Sequence, residues 1–368
     1  MKIRTVSKSY EDVLALTPAK HQKPKRVNLF FRILLKVVSI PDLLSVRFHC
    51  NKIGMEKLGK KEPALFLMNH SSFVDLKMAS GILYPKPYGI VCTTDAMVGK
   101  GLLMKLLGCI PTQKFVSDVT LIRDMEYLLK KKKTSVLMYP EASYSFDGTA
   151  TALPRKMGVL LKKLGVPVVT IITQGAFSID PLYNGLQKRK VKVRADVKCL
   201  ATAEEVKSMT VAQLDALLDE AFSFDNFAWQ QENNVIINEP FRADGLDRIL
   251  FRCPHCGAEG KTEGKGTTLT CHSCGVQYEL TETGYLKCLN AEGKFTHIPD
   301  WYTWQRECVR KELEDGTYLL DTDVDIAIQV NLDGVCMIGP GHLTHSIDGF
   351  HLTGGDGKLD YKQSPVAS

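Results

Sequence analysis

No run of 18 uncharged apolar residues occurs in the chain, which argues against a conventional membrane span. The first 26 residues are polar and hold neither an apolar core nor a small-residue cleavage site, so no cleavable signal peptide is expected and the chain is expected to stay in the cytosol. Internal repeats and low-complexity tracts are also missing, which sets aside fibrous and disordered classes. In a reducing compartment the 11 cysteines are not disulfide staples. Those at regular spacing suit metal binding and the others are small core residues.

What is present is ordinary globular material: 368 residues, 44% hydrophobic and 24% charged, enough for one large core and one or two smaller modules. The formal charge of +6 is unevenly placed, since residues 1–60 carry 13 Lys/Arg against 4 Asp/Glu. That excess calls for an anionic partner, either a membrane surface or nucleic acid. Within it, residues 27–48 place Arg32 and Lys36 four apart on one helical face, with Leu29, Phe30, Ile33, Leu34 and Val37 opposite and a break expected at Pro41. The pattern fits an amphipathic helix lying in an anionic membrane surface, its attraction reinforced by Lys20, Lys23, Lys25 and Arg26. It fits equally a surface helix packed on its own domain.

Short apolar or β-branched segments at 64–68, 88–93, 135–139, 166–172 and 191–200 alternate with helical patterns near 73–83, 99–107, 118–132, 155–164 and 210–221, the last opened by a Thr210/Gln213 capping box. Alternation of this kind predicts an α/β fold with a mostly parallel sheet flanked by helices. In such sheets the loops at strand carboxyl ends carry chemistry.

The first conspicuous loop is Asn69-His70-Ser71-Ser72-Phe73-Val74-Asp75. On a continuous helix His70 and Asp75 would lie roughly 140° apart, whereas a strand end followed by a turn and a helix start brings them together. An aspartate that fixes the tautomer of a histidine equips it to take a proton from a hydroxyl. The same residues also fit a capping box from Ser72 to Asp75, with His70 a hydrogen-bonded loop residue. The second loop, Tyr139-Pro140-Glu141-Ala142-Ser143-Tyr144-Ser145 with an Asp147-Gly148 turn, again leaves an apolar strand.

In this order, and together with Gly108 to Lys114 and Val166-Pro167-Val168-Val169, the two loops resemble four motif blocks of the glycerophospholipid acyltransferase superfamily, PlsC-type 1-acyl-glycerol-3-phosphate acyltransferases in particular. The resemblance spans roughly residues 60–200. It implies a PlsC-like fold, with His70 as general base, Asp75 orienting it, and Asn69, Lys114, Glu141, Ala142 and Ser143 lining the acceptor site. The implied reaction moves an acyl group from acyl-CoA or acyl-carrier protein to the free hydroxyl of lysophosphatidic acid, giving phosphatidic acid for phospholipid biosynthesis. Four departures bear on the acceptor: Ala142 replaces a glycine, Tyr144 an arginine, Lys114 a second-block arginine and Thr170 a proline. Losing two guanidiniums removes two bidentate phosphate ligands, for which Arg155 and Lys156 are candidate substitutes. An acyltransferase for another lysophospholipid or a glycolipid, or a non-enzymatic adaptor with a degenerate domain, is the alternative.

Beyond residue 245 a different signal begins. Cys253, Cys256, Cys271 and Cys274 form C-x2-C-x14-C-x2-C with a glycine after each second cysteine, the ligand set of a closed structural zinc site. A redox pair or two disulfides would use the same residues. Residues 251–290 hold four Lys/Arg and four Glu, so the basic footprint of nucleic-acid binding is missing there. The resulting division is a basic amphipathic membrane-associating segment (1–60), an acyltransferase domain (61–245), a zinc ribbon (246–285) and a small β-rich region (286–368) with a frayed last dozen residues. The expected location is the cytoplasmic face of a membrane, peripheral or monotopic.

Overall fold

A computed structural model describes residues 4–113, 118–154 and 156–365. It divides into two compact units, each assembled from segments distant in sequence, which cut across the four consecutive segments set out above.

The larger unit comprises residues 28–88 and 128–305. Its strands follow the order His49–Ile53, Arg194–Ala201, Val168–Gln174, Leu65–Met68, Ser135–Met138. Three of the four pairings are parallel, and only Val168–Gln174 runs antiparallel to Arg194–Ala201. The mostly parallel α/β sheet is therefore present, with the antiparallel step where a loop and not a crossover helix joins two strands. Leu65, Phe66, Leu67 and Met68 are all buried, as an unbroken apolar strand in a sheet covered on both faces requires. The Thr210/Gln213 capping box opens the helix Val211–Ala221, and a second box, Thr202/Glu205, opens Ala203–Ser208.

The helix Leu29–Ser45 differs from expectation in continuing through Pro41. Its C-terminal half is held from outside: Asp42 pairs with Lys77, and Leu43 packs so closely on Gly81 that a Cβ there would lie 2.8 Å from its methyl. External packing offsets the hydrogen bond that proline removes. Arg32 donates to the Pro85 carbonyl at 2.5 Å and the Lys36 ammonium sits 4.1 Å over the Tyr84 ring. The basic residues thus turn toward their own domain, and Leu29, Phe30, Ile33, Val37, Val38, Ile40 and Leu44 are exposed. Among the described residues no helix is long and apolar enough to cross a membrane.

An antiparallel four-stranded sheet, in the order Leu286–Cys288, Gln277–Leu280, Thr268–Cys271, Thr262–Lys265, carries the ribbon. The region after it is not purely β: Ile298–Glu314 is a 17-residue helix that buries Ile298, Trp301 and Gln305 on one side.

The smaller unit comprises residues 1–27, 89–127 and 306–368. Here the strand ending at Thr93 pairs in parallel with Cys109–Thr112. Leu320–Ile328, Val335–Ser346, Gly349–Gly354 and Leu359–Gln363 form an antiparallel sheet, so the expected fraying of the last dozen residues is corrected through Gln363 by cross-strand pairing. Thr5–Ser7 joins this sheet alongside Val335; the start of the basic segment is a strand.

Candidate active site and metal centre

The strand Leu65–Met68 is followed by a short loop, and the helix Asp75–Leu83 begins at once. This tight reversal brings His70 Nδ1 to 2.8 Å from Asp75 Oδ2. The same oxygen accepts from the backbone N–H of Ser71 at 2.8 Å and of Ser72 at 3.0 Å, so Asp75 both orients the histidine and ties down the loop that bears it. Ser72 Oγ accepts from Val74 N–H, which leaves the reciprocal capping box incomplete. With Nδ1–H directed at a carboxylate, Nε2 is the nitrogen left to accept a proton. The Asp75 side chain is 1% exposed and that of His70 21%: the orienting group is sealed and the working edge is open.

Both faces of the imidazole are covered. Tyr139 stacks at 4.1 Å between centroids and Tyr144 at 3.8 Å, and Phe73 lies against Tyr144 at 5.3 Å. Access to the histidine is therefore along the ring plane. Burial pushes the phenols of Tyr139 and Tyr144 above their ordinary range, and both stay neutral at physiological pH.

The loop after Ser135–Met138 is fastened to the first by Ser145 N–H donating to the His70 carbonyl at 2.9 Å. Glu141, 5% exposed, accepts from Thr151 N–H at 3.0 Å through Oε2. Its Oε1, the Asp75 Oδ1 and the Tyr139 hydroxyl are buried without a hydrogen-bond partner among the described residues. Burial raises the Glu141 carboxyl to about 7, against the lowering effect of the hydrogen bond from Thr151. Ala142 adopts φ +56°, a left-handed conformation that a glycine would adopt without strain. Ser143 Oγ lies 3.5 Å from the Glu141 carbonyl.

Asn69 is not open to a substrate. It is fully buried; its Oδ1 accepts from Thr173 N–H and Oγ1, and its Nδ2 donates to the Thr173 carbonyl and toward Ser71 Oγ. It ties two strand ends together beneath the site. Lys114 and Arg155 lie outside the described residues. Lys156 precedes the helix Met157–Leu164 in a left-handed conformation.

Sequence reasoning missed Asp180. It lies past the carboxyl end of Val168–Gln174, a third loop of the kind already singled out, and its Oδ1 accepts from Ser72 Oγ at 2.6 Å. Burial raises its carboxyl, partly offset by that hydroxyl.

In the ribbon, the Sγ atoms of Cys253, Cys256, Cys271 and Cys274 all lie within 4.8 Å of one another. Cys253 and Cys274 are 3.7 Å apart and Cys256 and Cys271 3.8 Å. A tetrahedron with metal–sulfur bonds of about 2.3 Å has edges of about 3.8 Å, so the donor set fits zinc. Gly257 and Gly275 take φ +75° and +78°, letting their N–H groups turn back to the carbonyls of Cys253 and Cys271. His255 bonds Tyr278 and His272 bonds Glu263; neither belongs to the cluster.

Residues 49–174 match the Acyltransferase family model. A chloroplastic 1-acyl-sn-glycerol-3-phosphate acyltransferase of Brassica napus is 31% identical over 134 residues, 35% of this chain and 38% of the relative. One of Arabidopsis thaliana is 29% identical over 139 residues, 36% and 38% respectively. The chain thus spans well under half the length of these curated relatives. The crystal structure of the 1-acyl-sn-glycerophosphate acyltransferase PlsC from Thermotoga maritima overlaps with a TM-score of 0.43 and 16% identity, covering 52% of this chain and 76% of that one. The ribbon and everything after it fall outside the family match, and His70, Asp75 and Glu141 fall inside it.

Proposed function

We propose that this protein transfers an acyl group from a thioester donor, acyl-CoA or acyl-carrier protein, to the free hydroxyl of lysophosphatidic acid. The observation that carries the reading is the 2.8 Å His70–Asp75 contact inside a matched acyltransferase domain; the activity of the plant relatives supports it. His70 Nε2 takes the hydroxyl proton as the acceptor oxygen bonds to the thioester carbonyl carbon. The carbon–sulfur bond then breaks, and the departing thiolate takes the proton back from the imidazolium as a free thiol. Asp75 holds the ring and stabilises its transient charge. The unpartnered buried oxygen of Glu141 supports a role in bonding the acceptor, and Lys114 is assigned to its phosphate from the motif resemblance alone. Zinc holds the four ribbon thiolates together as a closed structural centre and takes no part in the reaction.

The exposed apolar face of Leu29–Ser45 rests on a membrane at its cytoplasmic side, where the lipid acceptor resides; an aliphatic face turned to water is otherwise unfavourable. Deleting residues 1–48 moves the protein from vesicles to the soluble fraction if this is right, and leaves partitioning unchanged if the helix only packs.

Tyr144 favours a second acceptor class, because it puts a phenol where the resembling family has a guanidinium. Purified protein offered labelled acyl donors with lysophosphatidic acid, a diester lysophospholipid and a neutral glycolipid decides between them. Lysophosphatidic acid is the expected preferred acceptor, and Lys114→Ala raises its KM strongly while leaving a neutral acceptor nearly untouched. A wild-type preference for the diester or the glycolipid overturns the assignment.

A further inference from the structure

The ribbon does not hang from the acyltransferase domain. Phe177 and Phe227 are buried in one continuous core with Leu246, Trp301 and the ribbon cysteines Cys253 and Cys271. The two phenylalanines meet edge to face at 5.7 Å, and each also faces the loop that bears Glu141. A Cβ on Gly148 would lie 3.1 Å from the Phe227 ring and 3.2 Å from the Phe177 ring, so the far side of that loop rests directly on them.

Hydrogen bonds reinforce the seat. Asn226 donates to the Gly148 carbonyl through its backbone N–H at 2.9 Å and its side-chain amide at 2.8 Å. Ala150 N–H donates to Phe224, and Thr149 bridges to Asp225. The helix Asn226–Glu232 that follows is itself held by the ribbon region: Gln230 and Gln231 donate to the Glu282 and Gly284 carbonyls, and His297 bonds Asp225 at 2.8 Å. The His70 loop is reached through the connection that carries Phe177. Three residues beyond it, Asp180 accepts from Ser72, and the same connection grips the lead into the ribbon where Tyr183 and Arg189 donate to the Arg242 carbonyl.

We propose that the four-cysteine ribbon is a buttress for the two loops of the acyl-transfer site, with Phe177 and Phe227 as the positioning residues that transmit its support to the Glu141 loop. Metal holds the knuckles, the knuckles hold the shared core, and the core fixes where Glu141 and Tyr144 stand relative to His70. The identity of the loops rests on the reading above; their support by the ribbon rests on packing alone and is tested without reference to activity.

Hydrogen exchange of the full-length zinc-loaded protein, followed by mass spectrometry, is compared with that of protein stripped of metal and of the zinc-loaded variants Phe227→Leu and Phe227→Ala. Stripping should speed exchange about tenfold or more in peptides covering 139–151 and 224–232, while the strands Leu65–Met68 and Val168–Gln174 keep their protection. Phe227→Ala should loosen 139–151 with one zinc still bound per chain, and Phe227→Leu should do so less. If stripping unfolds the whole unit, the zinc-loaded Phe227→Ala protein decides alone. Unchanged exchange at 139–151 in that variant, unchanged exchange after stripping, or failure of the wild type to take up zinc overturns the proposal.

Discussion

At the ribbon, four sulfur atoms converge on one point with matched spacings of 3.7 and 3.8 Å, and both knuckle turns close on their own carbonyls. At the histidine the arrangement is open: one ring nitrogen is committed to Asp75, the side chain keeps 21% of its surface exposed, and three buried polar atoms nearby stand without partners among the described residues. A structural centre satisfies its groups internally. A catalytic centre leaves a few unsatisfied, because the substrate is to meet them. The contrast separates residues whose loss should cost activity from those whose loss should cost stability.

The sharpest way to break it is at Asp75. Asp75→Asn keeps the shape but removes the charge behind the imidazole and can reverse its tautomer, so turnover should fall by about three to four orders of magnitude; steady-state kinetics on the folded variant measure it. A loss of tenfold or less would place Asp75 with the structural residues, as a loop tie. At the ribbon the opposite pattern is expected. Cys253→Ser should release the metal and lower the melting temperature, because the site's binding energy is folding energy; elemental analysis with calorimetry checks both. A variant that keeps its zinc contradicts the four-thiolate site.

A smaller effect separates Glu141 from an ordinary buried acid. Its carboxyl is raised from 4.5 to about 7 in the folded chain, so between those values the native state binds more protons than the unfolded one and stability falls as pH rises. The loss, complete above pH 7, is on the order of 3 kcal/mol. Glu141→Gln should flatten that slope in denaturant titrations at pH 5 and pH 8; an unchanged slope assigns it to another group. The smallest change is at Ala142. With φ +56° it is strained, and Ala142→Gly should stabilise the chain by up to about 1 kcal/mol, read from the denaturation midpoint.

Where the information was local, the sequence was legible. Leu65–Met68 was readable because a strand buried on both faces is apolar at every position, and the cysteine spacing because knuckles are built from neighbours. The His70/Asp75 pair needed only one turn of chain. The stacking of Tyr139 and Tyr144 on His70 was not legible, since it joins loops some 70 residues apart whose meeting depends on sheet order. Asp180 was hidden for the same reason. The helix Ile298–Glu314 is masked in the sequence by the stronger strand-like alternation farther along, in Leu320–Ile328. Pro41 reads locally as a helix breaker, although Leu43 on Gly81 and Asp42 on Lys77 hold the helix past it. Tertiary packing overrode a local rule there, as it did at Ala142.

The proposed acyl transfer depends on His70 as the base. The most direct measurement follows label from an acyl thioester into diacylated lipid with zinc-loaded wild-type protein and His70→Ala side by side, circular dichroism and melting temperature confirming that both are folded. Wild-type turnover with a loss of about a thousandfold or more in the variant is the predicted result. A folded His70→Ala protein that still transfers acyl groups at near wild-type rate would contradict the mechanism.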